Sequence, residues 1–273
     1  MDIKKALEVS TKKLKQAKIA SARLDSEILL ACALGKTREF LIAHDDQQLK
    51  NYENSKFESF IARRLDREPV CYITNQLEFY GLDFFVDKRV LSPRVETELI
   101  AELAIKNAPS NSSLIDIGTG SGALAISIAK YRPDLAITAT EVSSEAMQVA
   151  QFNNKKLLAG ECKINFIMAN VWQGVEGIFE TIVTNLPYVS LDYQPNMKPE
   201  VLKEPAIALY GGKGDGLDLY RKFYQGISKH LAPSGIVYHE SDPWQHQALS
   251  ELALSAGLEP ILEKYLILGF RKK

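Results

Sequence analysis

The 273-residue chain is sparing in the groups that mark several functional classes. It holds three cysteines, Cys32, Cys71 and Cys162, none in a C-x-x-C spacing, which favours buried thiols in a reducing compartment over zinc ligation or disulfides. No apolar run approaches the roughly 18 residues of a membrane span, and Met1-Asp2-Ile3-Lys4-Lys5 has no apolar stretch behind it. Neither a signal peptide nor a transmembrane helix is expected, and the reading is cytoplasmic. Charge of one sign is lacking too: 33 basic against 34 acidic residues leave no global field toward nucleic acid or a membrane. His239, Glu240, Asp242 and His246 suggest a metal cluster at first sight. Pro243 would break any helix that set both histidines on one face, so no metal is expected. What remains, with 46% hydrophobic and 25% charged residues, is an ordinary globular chain long enough for one large or two modest domains.

Its first 75 or so residues read as helices. Ile3, Ala6, Leu7, Leu14 and Ala17 recur at helical spacing, and Leu24 to Leu34 is apolar-rich until Gly35 interrupts it. A further helix, Glu53 to Leu65, sets Phe57, Phe60, Ile61 and Leu65 on one face and leaves Lys56, Glu58, Arg63 and Arg64 solvated. Such a region serves either as a packed bundle or as a substrate-recognition domain. From Leu77 to Leu91 the period falls to two around Gly81, predicting a hairpin. After Pro93 a helix runs through Leu99, Ile100, Leu103 and Ala104. Strand and helix then alternate over 114–117, 122–130, 136–140, 144–158, 164–168, 181–184, 217–231, 235–239, 246–256 and 260–271. That alternation predicts an α/β fold with a mainly parallel sheet covered on both faces and ligands at the carboxyl ends of its strands.

Leu114 to Gly122 runs from strand into a loop, with glycine at 118, 120 and 122 around Thr119 and Ser121. Absence of Cβ there permits positive φ and close approach of a ligand to the main chain. Gly118, Gly120 and Ala123 also satisfy the dinucleotide pattern, and Glu141, about 20 residues on, suits a ribose. NAD and S-adenosylmethionine both survive this step.

The strand Thr181-Ile182-Val183-Thr184 ends in Asn185-Leu186-Pro187-Tyr188, at the same sheet edge as the glycine loop. The side-chain carbonyl of Asn185 and the main-chain carbonyl of Leu186 can accept both hydrogens of a planar NH₂ group, and Tyr188 offers a face for stacking. Positioning of this kind suits methylation of an amino or amide nitrogen and has no use in hydride transfer. No Cys, His or Lys in the stretch is placed as a nucleophile, so direct transfer is expected.

The chain resembles the protein-(glutamine-N5) methyltransferases that modify peptide chain release factors. The similarity covers Arg67 to Ile73, Glu78 to Leu82, Val90-Leu91-Ser92-Pro93-Arg94-Val95-Glu96-Thr97-Glu98, Asp116 to Gly122 and Glu204-Pro205-x-x-Ala208-Leu209-Tyr210-Gly211-Gly212. It implies a helical amino-terminal substrate-recognition domain over 1–75, a β-hairpin linker over 76–95 and a Rossmann-like class I methyltransferase domain over 96–273. The implied cofactor is S-adenosyl-L-methionine, held by 118–122, Glu141, Asn170, Val171 and Asn185. The implied substrate is the glutamine of a release factor's Gly-Gly-Gln loop, methylated by an apparatus of Asn185, Leu186, Pro187 and Tyr188, without membrane association or sequence-specific nucleic-acid binding.

Departures from that family's pattern are local. Leu186 stands where proline is usual. Its carbonyl survives, and on this reading the side chain plays little part, with stiffness on the order of 0.4–1 kcal/mol lost. Asn170 replaces an acidic residue, Glu141 replaces the commoner Asp, and Gly211 to Leu217 is one residue longer. Amino methylation of a nucleic-acid base and a catalytically weakened binding module remain as alternatives.

Overall fold

The computed structural model describes residues 1–159 and 164–273, and Cys162 lies outside them. Two compact units divide the chain, one of residues 1–76 with 198–203, the other of 77–197 with 204–273.

In the first unit five helices follow the apolar spacing: α1 (Ile3–Gln16), α2 (Ala22–Leu34), α3 (Arg38–Ala43), α4 (Asn51–Leu65) and α5 (Val70–Thr74). Asp2 caps α1 by accepting from Lys5 N at 2.7 Å, and Gly35 ends α2 in the left-handed region. Ile3, Leu7, Leu14, Leu29, Leu30, Phe57 and Ile61 form its core. Two expectations fail here. Leu65 is exposed instead of core-facing, and Arg64 is buried, its Nε donating to Asp25 Oδ2 at 2.7 Å. Glu200 brings a carboxylate to both Arg64 and Arg67 at 3.1 Å, a partner that helical periodicity cannot foresee. Cys32 and Cys71 are half-buried.

The second unit opens with a hairpin, β1 (Leu77–Phe79) and β2 (Leu82–Phe84), turning at Tyr80-Gly81. Its strands are only three residues long. The period-two pattern continues through Val86 and Val90 because those side chains are buried, not because a strand does. After a short turn at Val95–Thr97 come α6 (Glu98–Asn107), β3 (Ser113–Ile117), α7 (Ala123–Tyr131), β4 (Ala136–Glu141), α8 (Ser144–Leu158), β5 (Ile164–Met168) and β6 (Phe179–Thr184). Then follow β7 (Val189–Ser190), α9 (Ala206–Leu209), β8 (Tyr210–Gly212), α10 (Asp218–His230), β9 (Leu231–Glu240), α11 (His246–Ser255), β10 (Leu258–Lys264) and β11 (Ile267–Lys272).

Seven strands form one sheet in the order β10-β11-β9-β6-β3-β4-β5. β9, β6, β3, β4 and β5 run parallel, and β11 is antiparallel to both of its neighbours. The stretch 260–271, read as one element, is therefore two strands turning at Tyr265, which has φ 54°. Buried Ile115, Ile117, Ile182 and Val237 from the strands pack with Tyr220, Phe223 and Ile227 of α10. The chain order reverses at β3, whose neighbours are β4 on one side and β6 on the other. Ligands of open α/β sheets bind at such a switch point.

Candidate active site

A cavity of about 250 Å³ opens at the carboxyl ends of β3, β4 and β6. Gly118, Thr119, Gly120, Ser121, Glu141, Asn170, Val171, Asn185, Leu186 and Pro187 line it, so the structure brings together most of the residues singled out in the sequence. Gly122 and Tyr188 stand outside the lining. Gly122 instead starts α7 at φ 83°, where a Cβ would lie 2.6 Å from Ile126 Cδ1.

The glycine loop is tied to the strands beside it. Thr119 N donates to Thr140 O at 2.8 Å, and Gly120 N donates to Glu141 Oε2 at 2.9 Å. Glu141 Oε1 accepts from Val142 N and Ser143 N at 2.8 and 2.9 Å. Each carboxylate oxygen is thus oriented by main-chain donors while the side chain borders the cavity. Asp116, 1% exposed, accepts from Thr119 Oγ1 at 2.6 Å and Ala125 N at 3.3 Å through Oδ2, whereas Oδ1 has no partner among the described residues. Burial pushes its carboxyl up to about 7, the Thr119 and Ala125 donors pulling the other way.

At the end of β6, Asn185 Nδ2 donates to Thr97 Oγ1 at 3.1 Å. Thr97 in turn donates to Glu240 Oε2 at 2.6 Å, and Tyr188 donates to Glu240 Oε1 at 2.8 Å. Burial pushes the Tyr188 phenol far up, with the Glu240 carboxylate adding to the effect, so Tyr188 acts as a neutral donor. Gln245 Nε2 fixes the Tyr188 carbonyl at 2.8 Å. At the cavity rim, Glu204 accepts from Ser92 Oγ at 2.8 Å and from Arg94 Nη2 at 2.7 Å.

Leu186 corrects an expectation. Its side chain is buried among Ile115, Leu217 and Tyr220, and its Cδ2 lies 3.3 Å from where a Cβ on Gly118 would stand. The side chain therefore packs beneath the glycine loop.

Thr97 and Glu240 escaped the sequence reading as site residues. Thr97 lies within the stretch Val90 to Glu98, and Glu240 stands beside His239, where the sequence suggests a metal ligand and nothing else. In the structure His239 pairs with the Tyr224 hydroxyl at 2.7 Å and His246 with Glu263 at 3.0 Å, so these side chains have other partners. The available signal is the run Val237 to Glu240, buried throughout at the end of a central strand, since a buried Glu requires donors.

A switch-point cavity with a glycine loop after β3, an acidic residue ending β4 and Asn-x-Pro-Tyr after β6 defines a Rossmann-like methyltransferase. A methyltransferase small domain matches residues 95–212, and a PrmC N-terminal domain matches residues 5–74. The solved structure of a methyltransferase from Pyrococcus furiosus shares the fold at TM-score 0.53 and 21% identity, over 77% of this chain and 96% of that one. A release factor glutamine methyltransferase of Koribacter versatilis is 35% identical over 253 residues, 89% of each chain. That of Moorella thermoacetica is 35% identical over 272 residues, 97% of this chain and 95% of the other. The chain belongs to the release factor glutamine methyltransferase family.

Proposed function

We propose that this protein transfers a methyl group from S-adenosylmethionine to the side-chain amide nitrogen of the glutamine in a release factor's Gly-Gly-Gln loop. The reading rests on family membership over most of the chain together with one geometric observation. Asn185 borders the cavity with its amide nitrogen engaged by Thr97, which leaves its carbonyl as the group available to a substrate NH₂.

The residues present fit the cofactor. Asp116 is among the residues that line the cavity, and its Oδ1 is a buried carboxylate oxygen without a partner among the described residues. Glu141 is the acceptor for ribose hydroxyls, Asn170 and Val171 border the place of the base, and Gly118 to Ser121 let the ligand reach the main chain. The cofactor, when bound, supplies an electrophilic methyl group on a sulfonium.

Asn185 and the Leu186 carbonyl hold the two hydrogens of the glutamine amide and so orient its nitrogen, and Pro187 keeps Leu186 extended. Held this way, a weak nucleophile gains from positioning. In the same reading the helical unit 1–76 recognises the protein substrate, supported by the match over residues 5–74. Among the described residues no helix is long and apolar enough to cross a membrane. A cytoplasmic location accords with the expected substrate.

The test is transfer of labelled methyl from the cofactor to purified release factor and to its loop Gln→Ala variant. Label on the first and not on the second is the expected result. Equal labelling of both would refute the substrate.

A further inference from the structure

Glu240 does not border the cavity and has no part in the reaction as described above, yet it is 2% exposed at the end of β9. Burying a carboxylate is costly unless donors surround it. Here the donors both come from the active site: Thr97 Oγ1 to Oε2 at 2.6 Å and Tyr188 Oη to Oε1 at 2.8 Å. Thr97, which donates its one proton to Glu240, can only accept from Asn185, and Asn185 Nδ2 lies 3.1 Å away. The chain of bonds therefore has a direction.

That direction decides how Asn185 works. A free carboxamide can present either its NH₂ or its carbonyl to a ligand, and only the carbonyl can accept from a substrate amide. With Thr97 accepting from Nδ2, rotation of the amide would set its oxygen against the Thr97 lone pairs. We propose that Glu240 is a positioning residue, which through Thr97 locks the Asn185 carbonyl toward the substrate and through the Tyr188 hydroxyl anchors the segment 185–188. The proposal rests on the methyl-transfer reading of the cavity. Glu240 is not the base, because both of its oxygens already accept hydrogen bonds and neither reaches the cavity. Burial raises its carboxyl above the ordinary value, with the Thr97 and Tyr188 donors pulling the other way.

Thr97→Val, Glu240→Ala and Glu240→Gln test this. Four quantities are read: kcat, KM for release factor, cofactor affinity by calorimetry, and solvent-exchange protection of the Asn185 side-chain amide by NMR without substrate. Thr97→Val and Glu240→Ala should lower kcat roughly tenfold to a hundredfold, with KM and cofactor affinity within about twofold. The Asn185 amide should lose its protection in both. Glu240→Gln, which can still accept from Thr97, should retain more activity than Glu240→Ala. Should Glu240→Ala fail to fold, Thr97→Val and Glu240→Gln carry the test. If the wild type does not methylate release factor but protection is lost in the variants, the substrate is wrong and the positioning role stands. Unchanged kcat in folded Thr97→Val, equal losses in kcat and cofactor affinity, or a still-protected amide would overturn the role.

Discussion

Leu186 shows most directly how one side chain couples the site to the core. At position 186, where the sequence reading expects proline, this chain has a buried leucine packed under Gly118. Leu186→Ala should therefore lower stability by about 2–5 kcal/mol, the range for large-to-small core changes, read by denaturant unfolding. An unmoved midpoint would mean that the site collapses around the gap. Leu186→Pro removes much of that packing, so it should lower thermal stability as well, contrary to what the sequence alone suggests. Glu141 bonds three main-chain N–H groups of the loops it borders. Replacement by Ala removes that order together with the ribose acceptor, and cofactor affinity should fall by about 1.5–3 kcal/mol in calorimetry. Affinity equal to the wild type would displace Glu141 from the cofactor site. Asn185→Ala should act differently, lowering kcat far more than it changes cofactor affinity. The types of these residues were legible because carboxamide, acid and glycine have few uses at strand ends. Glu240 and Thr97 were not, because a hydrogen-bond chain between residues 97, 185 and 240 leaves no spacing to read.

Among the elements, the ribbon of β7 and β8 fixes where the segment after β6 can go. The two strands pair in parallel, Val189 with Tyr210 and Ser190 with Gly212. Gly211 sits so tightly between its neighbours that a Cβ would stand 1.9 Å from Gly216 O and 2.4 Å from Pro187 O. Both are main-chain atoms and cannot swing away. Gly211→Ala should therefore shift Pro187 and reduce methyl transfer by on the order of a hundredfold, the cost of a displacement of about 1 Å. Wild-type activity in that variant would show that the ribbon does not hold the site. Strand and helix alternation over 114–184 and 217–240 was legible from period, and so was the hairpin turn at Gly81, whereas β7, α9 and β8 are too short to show one. The division of the last stretch into β10 and β11 was not, since Tyr265 makes the turn with positive φ and no glycine, asparagine or proline marks it.

At the scale of the whole molecule, stability should carry the signature of the buried Asp116. Its folded carboxyl titrates near 7, against an ordinary value of 3.8, and burial is the main cause. Stability from the protonated form is complete below the ordinary value and is lost as pH rises through about 7. Tm of the ligand-free Asp116→Asn variant, measured against wild type, should therefore rise steadily from about pH 4 to pH 7.5. A flat difference would show the carboxyl ionised throughout. Fold class was legible at this scale because both periodicities run the length of the chain. Arg64 shows the limit: its periodicity says surface, but Asp25 and Glu200, distant in sequence, bury it. The central claim is that the cavity with Asn185 at its edge methylates a glutamine amide. Fragmentation mass spectrometry of release factor incubated with cofactor and either wild type or Asn185→Ala, with DNA treated in parallel, tests it most directly. One added methyl is expected on the glutamine of the Gly-Gly-Gln loop with the wild type, almost none with Asn185→Ala, and none on DNA. A methyl on an adenine amine, or on the loop glutamine at equal yield from both enzymes, would contradict it.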